Sequence, residues 1–438
     1  MKLYRLQPAY SDYVWGGTNL IENWGKKPPS RQLAESWEIS LHPEGESRVT
    51  GGIDDGKPLS QVLTRADWGE NCQNFPIFPL MVRLVDAGQN LSIQVHPDDA
   101  FAQTQGEMWG KTEMWFVLES KPGSGIYCGF KQPISREEFA ERIQDSTIIQ
   151  ALRFIELEQG QAIKIDAGTV HAICAGLTVV EVNQNSNSTY RIYDYDRKDT
   201  EGNPRRPLHI EEAKAVSRLS PYTRKNNKVQ MEPGKTLLCA SRCFSVYEYN
   251  YNICTQNKKD TDLTALIISV DKRSFCTLTF LEGEGSLNGQ SFSKGNSFLA
   301  TAGDGLLKIE GTCRFILTKV VKYFVKINID GKNTEGVVCD QDSFLLSQNK
   351  TAIQAHLSAE QIIQNLVEII AQLLDQAGLD INDVEGIDIG IPNDNDDKAG
   401  IGHNFGSFCR DNVPIHDILK THYNLPIRIT NEKLFYGH

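Results

Sequence analysis

A chain of 438 residues, 40% hydrophobic and 23% charged, holds enough material for two or three globular domains and shows no compositional sign of disorder. Lys and Arg number 45 against 56 Asp and Glu, a net charge of -11 that argues against nucleic acid or an anionic membrane as main partner, so an anionic ligand would need a local cationic pocket. The N-terminus lacks the apolar stretch of a signal peptide, no apolar run is long enough for a bilayer, and ten cysteines without a C-x-x-C pair read as reduced thiols; together these predict a cytoplasmic protein.

Short apolar runs, from Phe78 to Val85, Leu91 to Val95, Met114 to Leu118, Ile163 to Ile165 and Thr178 to Val182, have strand lengths and are separated by Gly, Pro, Asp and Asn. They predict a mainly β domain over residues 1–230. Two helices interrupt it: one opened by the capping-box pattern Ser135-x-x-Glu138, the other from Ile210 to about Leu219. A second β-rich block over 231–320 shows strands at Leu263 to Val270, Phe275 to Leu281 and Arg314 to Val320, around a predicted turn at Glu282-Gly283-Glu284-Gly285. No histidine occurs between His209 and His356, so that block cannot carry a His-ligated metal. Over 321–438 the pattern becomes strand, strand, long helix, strand, which is α/β. Ser358 and Gln361 offer a capping box for that helix, Ile362, Leu366, Ile369 and Leu373 recur at helical spacing, and Gly378 supplies a stop.

The chemistry concentrates in the first block. In Leu91 to Asp98, strand alternation puts Ser92, Gln94 and His96 on one face while Ile93 and Val95 pack on the other. Lys111 and Glu113 share a face by the same arithmetic, and His171 follows the turn Gly168-Thr169-Val170. Two histidines and a carboxylate, with a Gln oxygen as a further donor, suit a catalytic zinc site and equally a non-haem iron site; two ordinary barrel histidines bonded to backbone weigh about as much on ligand types alone. Lys111, beside Glu113, is a candidate for a lysine whose pKa burial lowers, and Arg191 suits the grip of a phosphate, against the commoner fate of a solvated surface pair. Arg83 lies inside an apolar run, where a charge calls for an anionic partner.

The phrases Trp15-Gly16-Gly17, Glu35-Ser36-Trp37-Glu38, Leu91 to Asp98, Gly110-Lys111-Thr112-Glu113-Met114-Trp115, Gly168 to Ala172 and EVNQNSNSTYRIYDYDR over Glu181 to Arg197 resemble, in the right order, the class I mannose-6-phosphate isomerases in their short bacterial form. The resemblance covers roughly residues 1–320 and implies a pair of cupin-like β-barrels with a helical insertion. It implies one zinc ion per chain on Gln94, His96, Glu113 and His171. It places the active-site arginine at Arg191, the active-site lysine at Lys111, and Ser92, Arg83 and Glu181 at the substrate, the first two near its phosphate. Family members often carry Lys at the position of Arg83. The implied reaction interconverts mannose 6-phosphate and fructose 6-phosphate through a cis-enediol, with Lys111 the first candidate for proton transfer and His171, Glu181 or a metal-bound water as alternatives.

Residues 321–438 resemble a truncated, degenerate N-terminal segment of a ROK-family sugar kinase, with an actin-like lobe. Lys326 to Thr334 resembles its phosphate loop but has Asp330 where a glycine belongs; Gly386 to Asn393 resembles its sugar lobe; and Glu432 stands where the catalytic Asp is expected. No phosphotransfer is expected, and self-association through this segment is left open. Two other readings compete: an iron-dependent cupin oxygenase, disfavoured by Lys111, Arg191 and Ser92, and a non-catalytic sugar-phosphate sensor, disfavoured by the intact ligand set.

Overall fold

The computed structural model describes residues 1–198, 206–223, 228–252, 265–330, 333–352, 358–391, 395–396, 401–402 and 414–435. Among them the architecture is mainly β, in two compact units: Met1–Arg224, Gln230–Cys239 and Val246–Val320 form one, and Lys225–Val229, Ala240–Ser245 and Val321–His438 the other.

The runs at Phe78 and Leu91 form strands that begin two residues later than read, and those at Met114, Ile163 and Thr178 form strands one or two residues longer at their ends; with six further strands they make two sheets. They are β1 (Ala9–Ser11), β2 (Glu35–Ile39), β3 (Leu80–Asp86), β4 (Ile93–Val95), β5 (Glu113–Ser120), β6 (Gly125–Phe130), β7 (Leu152–Glu156), β8 (Ala162–Ile165), β9 (His171–Ile173), β10 (Leu177–Gln184) and β11 (Tyr190–Tyr193). One sheet runs β8-β5-β10-β3-β2-β1 and a second runs β11-β4-β9-β6-β7. The inner faces of the two sheets meet in a core of Val85, Trp115, Val117 and Ile163 from one and Ile126, Cys128 and Ile173 from the other. Ile93, Val95, Ala172 and Ile192 point from the outer face of the second sheet into a separate core with Phe139, Ile143, Ile148 and Ala213 of the covering helices. The alternation read from β4 is therefore real: its apolar residues pack outward under the helices, which leaves Gln94 on the inner face.

The helix Arg136–Gln144 begins as predicted, with the Ser135 side chain accepting from the Glu138 N–H. The helix at Ile210 ends at Val216 and not near Leu219, because Ser217 turns to an extended backbone. In the second block, strand Leu266–Val270 lies inside the predicted run; Leu263 and Thr264 fall outside the described residues. The predicted turn over 282–285 is not a turn. It is the interior of strand Cys276–Leu287, which carries a bulge between Phe280 and Glu282; the reversal comes at Asn288 and Gly289, both with positive φ. Glycine is required here by close approach, since a Cβ on Gly283 would lie 1.9 Å from the Thr312 carbonyl oxygen. Leu3–Gln7, from the start of the chain, pairs with Ser297–Ala300 in this ten-stranded sheet.

In the second unit three antiparallel strands, Leu345–Ala352, Asn333–Asp340 and Tyr323–Ile329, continue into two parallel ones, Val384–Gly390 and Ile427–Thr430. The first of these, absent from the sequence reading, is a mostly exposed edge strand with little apolar alternation. Helix Ala359–Ala377 has its capping box at Ser358 and Gln361 and ends on left-handed Gly378. Gly331, Lys332, Pro392, Asn393 and His438 of the kinase-like phrases lie outside the described residues.

Candidate active site

Strand register assembles the site. Arg191 on β11 stands opposite Gln94 on β4, and Gln94 stands opposite His171 on β9, so the three form one row across the second sheet. On the facing sheet Trp37, Arg83, Glu181 and Trp115 form another row, and Glu113 lies opposite Asn183 one step along. Side chains directly opposite in a ladder point to the same face. The two rows thus project toward each other.

Between them, His96, Glu113 and His171 are fully buried and each offers a ligand atom within 4.8 Å of the others. Nε2 of His171 is 3.2 Å from Glu113 Oε1, and Nε2 of His96 is 3.5 Å from Oε2. Each ring has its other nitrogen against a backbone carbonyl: His96 Nδ1 is 2.7 Å from the Ser188 oxygen and His171 Nδ1 is 2.8 Å from that of Thr169. Such a contact makes Nδ1 the protonated donor and leaves the Nε2 lone pair aimed at the centre. Burial, with Lys111 nearby, pushes the His96 imidazole down to about 3, so it is neutral. His96 Nε2 and both Glu113 oxygens are buried without an aligned hydrogen bond, a combination that is costly unless something else satisfies them. A divalent cation fits that donor set. The amide of Gln94 faces His171 with its nitrogen, 3.4 Å away, and its oxygen lies 3.4 Å from Ser92 Oγ; as a carbonyl ligand it needs the flipped amide.

Lys111 is placed by its loop, whose N–H donates to the Pro97 carbonyl at 2.9 Å; a Cβ on Gly110 would sit 2.4 Å from the Asp98 carbonyl carbon, so glycine lets the two segments touch. Its Nζ lies 2.8 Å from Glu113 and 3.2 Å from Glu181. Burial alone would lower the ammonium, but the two carboxylates outweigh it and the net direction is up, opposite to the lowered value expected for a shielded lysine. Burial likewise would raise Glu113, yet Lys111 and His96 hold it well below its ordinary range, whereas Glu181 is pushed up, chiefly by burial.

Arg83 has the anionic partners that its position demands. Its guanidinium is 3.0 Å from Glu35 and 3.6 Å from Glu181, lies over the Trp37 ring, and is raised by those carboxylates above its ordinary value. It is committed inside the sheet and presents no open cationic face. Glu35, which also accepts from the Trp37 indole N–H at 2.7 Å, escapes sequence reasoning; the only signal is its place in the phrase Glu35-Ser36-Trp37-Glu38. Arg191 is the reverse case: its Nε is buried without a hydrogen bond, and among the described residues no carboxylate pairs with it.

Fold and site define the class: a mainly β protein with a buried His–Glu–His cluster that could hold a metal ion. The family model for the phosphomannose isomerase type I catalytic domain matches residues 3–115. The probable mannose-6-phosphate isomerase GmuF of Bacillus subtilis is 35% identical over 327 residues, which are 72% of this chain and 98% of that protein. A mannose-6-phosphate isomerase of Streptococcus mutans is 35% identical over 56% of this chain and 77% of its own length. The crystal structure of mannose 6-phosphate isomerase from Bacillus subtilis superposes with a TM-score of 0.64 at 31% identity, covering 73% of this chain and 99% of that one. The chain belongs to the type I phosphomannose isomerases.

Proposed function

We propose that this protein interconverts mannose 6-phosphate and fructose 6-phosphate with the help of one zinc ion. The observation that carries the reading is a buried His96–Glu113–His171 cluster that could hold a metal ion, with Lys111 against Glu113 and Arg191 in the same strand row as Gln94 and His171. The curated relatives that share most of their length with the chain bear the same activity in their names. Gln94, His96, Glu113 and His171 would hold the zinc, which when bound polarises the sugar's oxygens and stabilises the charge of the cis-enediolate.

The chain's own residues do the rest. The reaction opens the ring, removes the C2 proton and returns a proton to C1. Lys111, 2.8 Å from Glu113 and 3.2 Å from Glu181, is the group we assign to proton movement, with Glu181, which is not one of the proposed zinc ligands, the acceptor for the proton its ammonium carries. Arg191 supports the developing negative charge from the side opposite His171, and the buried walls around Trp115 and Trp37 exclude water. Arg83 and Glu35 hold Glu181 in place, and Ser92 meets the substrate beside Gln94.

Assignment of 1–230 and 231–320 to two cupin-like barrels, and of 321–438 to a degenerate kinase-like segment without phosphotransfer, belongs to the same reading, as does a cytoplasmic location. No helix among the described residues is long and apolar enough to cross a membrane. The test is conversion of mannose 6-phosphate before and after chelation, with zinc added back. Loss and recovery of activity support the isomerase; an inert, zinc-loaded, folded protein rules it out.

A further inference from the structure

Among the described strands β11 is the edge of its sheet, with β4 as its ladder partner. The ladder is irregular at Arg191: Tyr190 faces Val95 and Arg191 faces Gln94, but Tyr193 and not Ile192 faces Ile93. Both backbone hydrogen-bonding groups of Arg191 turn outward, away from β4, and one residue takes them. The Arg191 N–H donates to His209 Nδ1 at 3.2 Å, and the His209 N–H donates to the Arg191 carbonyl at 2.8 Å. Arg191 and Gln94 are thus a non-hydrogen-bonded pair, the kind that brings facing side chains closest. His209 completes the strand there, with a ring nitrogen in the place of a carbonyl.

His209 is the N-cap of helix Ile210–Val216, where a side-chain acceptor ordinarily serves the helix's own first turn, yet its ring makes no cap bond. The acceptor is spent on β11 instead. The ring nitrogen that accepts carries no proton, so the imidazole is neutral with its hydrogen on Nε2; burial and the Arg191 charge hold it below its ordinary value, against an opposing pull from Glu212. His209 is itself fixed, since Ala213, one helical turn on, is buried with Ile93, Val95 and Ile192 in the outer core. By contrast the Arg191 guanidinium has little to hold it: its Nε is buried without a hydrogen bond, and no carboxylate among the described residues pairs with it. A long side chain without fixed partners is aimed only as well as its backbone is held.

We propose that His209 is a positioning residue for Arg191: its ring and its N–H clamp the Arg191 backbone, and so aim the guanidinium at the charge that develops on the substrate. The proposal rests on the isomerase reading above.

The test is kcat for mannose 6-phosphate in the zinc-loaded full chain. In His209→Ser the helix keeps a capping residue, but the shorter side chain does not reach the Arg191 N–H. Its kcat should fall roughly 10- to 100-fold, the range for a catalytic group displaced by about an ångström, with metal content unchanged. His209→Asn, whose Oδ1 sits where Nδ1 does, should recover most of the loss; His209→Gln, whose acceptor lies one bond further out, serves if the Ser variant does not fold. In an Arg191→Met background the Ser substitution should lower kcat no further, because the group it positions is gone. An undiminished kcat in folded His209→Ser, or the full loss repeated in the Arg191→Met background, overturns the proposal. Amide exchange keeps it apart from the isomerase reading. If zinc-loaded wild type turns over no mannose 6-phosphate, that reading falls; Arg191 N–H exchange that speeds up in the Ser variant and not in the Asn variant then still upholds the clamp, and equal exchange in all three proteins overturns it.

Discussion

Lys111, in the loop just before β5, and Glu113, the first residue of that strand, touch through Nζ and Oε2 at 2.8 Å inside the protein. A buried lysine between two carboxylates, Glu113 and Glu181, is too costly to be incidental packing unless each charge is satisfied by the others.

Lys111→Met should lower kcat by about 10²- to 10⁴-fold, the range for loss of a positioned proton-transfer group. Metal content measured on the same sample should stay near one ion per chain. A variant that loses metal and activity together would mean that Lys111 acts by holding Glu113 and not by moving protons.

Chelation should destabilise the folded protein as well as silence it, because the orphaned Nε2 and carboxylate oxygens lose their partner. Zinc at 100 times its dissociation constant stabilises by about 2.7 kcal/mol. Thermal melting with and without zinc reads the effect, and His171→Ala should abolish the zinc-dependent part.

Arg83→Met should cost about 3–5 kcal/mol, because Glu35 and Glu181 would be left as facing buried carboxylates without their cation. Arg83→Lys should cost less, since the charge remains. Urea unfolding of the two variants side by side checks the order.

Lys26 and Glu38 form a second buried pair at 2.5 Å, completed by the Gly295 carbonyl on Lys26 and by the Ser36 and Ser297 hydroxyls on Glu38. Lys26→Met should destabilise by a similar 3–5 kcal/mol or so. The KM should stay at the wild-type value, which separates a structural pair from the site network.

In the second unit, buried Asn328 holds the end of the described chain: its amide donates to the Phe435 carbonyl and accepts from the Leu434 N–H, both at 2.9 Å. Asn328→Leu should weaken that attachment by about 1–3 kcal/mol. Faster amide exchange at Leu434, with Val325 and Ile387 still protected, is the expected pattern.

Periodicity carried much of this from sequence. Ser92, Gln94 and His96 were legible as one face because strand geometry repeats every two residues; Lys111 does meet Glu113, but from the loop before the strand and not by strand alternation. The helix capped by Ser358 was legible because its signals are local. The run 282–285 was misread because glycines forced by close contact with a neighbouring strand look the same as glycines that make a turn. The edge strand Leu345–Ala352 was missed because an exposed strand has no apolar rhythm to read.

By itself the sequence determined which residues share a face, where the polar stripe of β4 lies, and a family likeness that brought with it a set of ligands. It could not decide who meets whom across sheets, because register between strands distant in sequence depends on the packing of the whole unit. Only the tertiary structure set Glu113 against His171, closed Arg83 between Glu35 and Glu181, and brought His209 to Arg191. Those contacts also reversed the expected direction for Lys111: burial is partly foreseeable from sequence, but the partner charge that outweighs it arrives only with the fold.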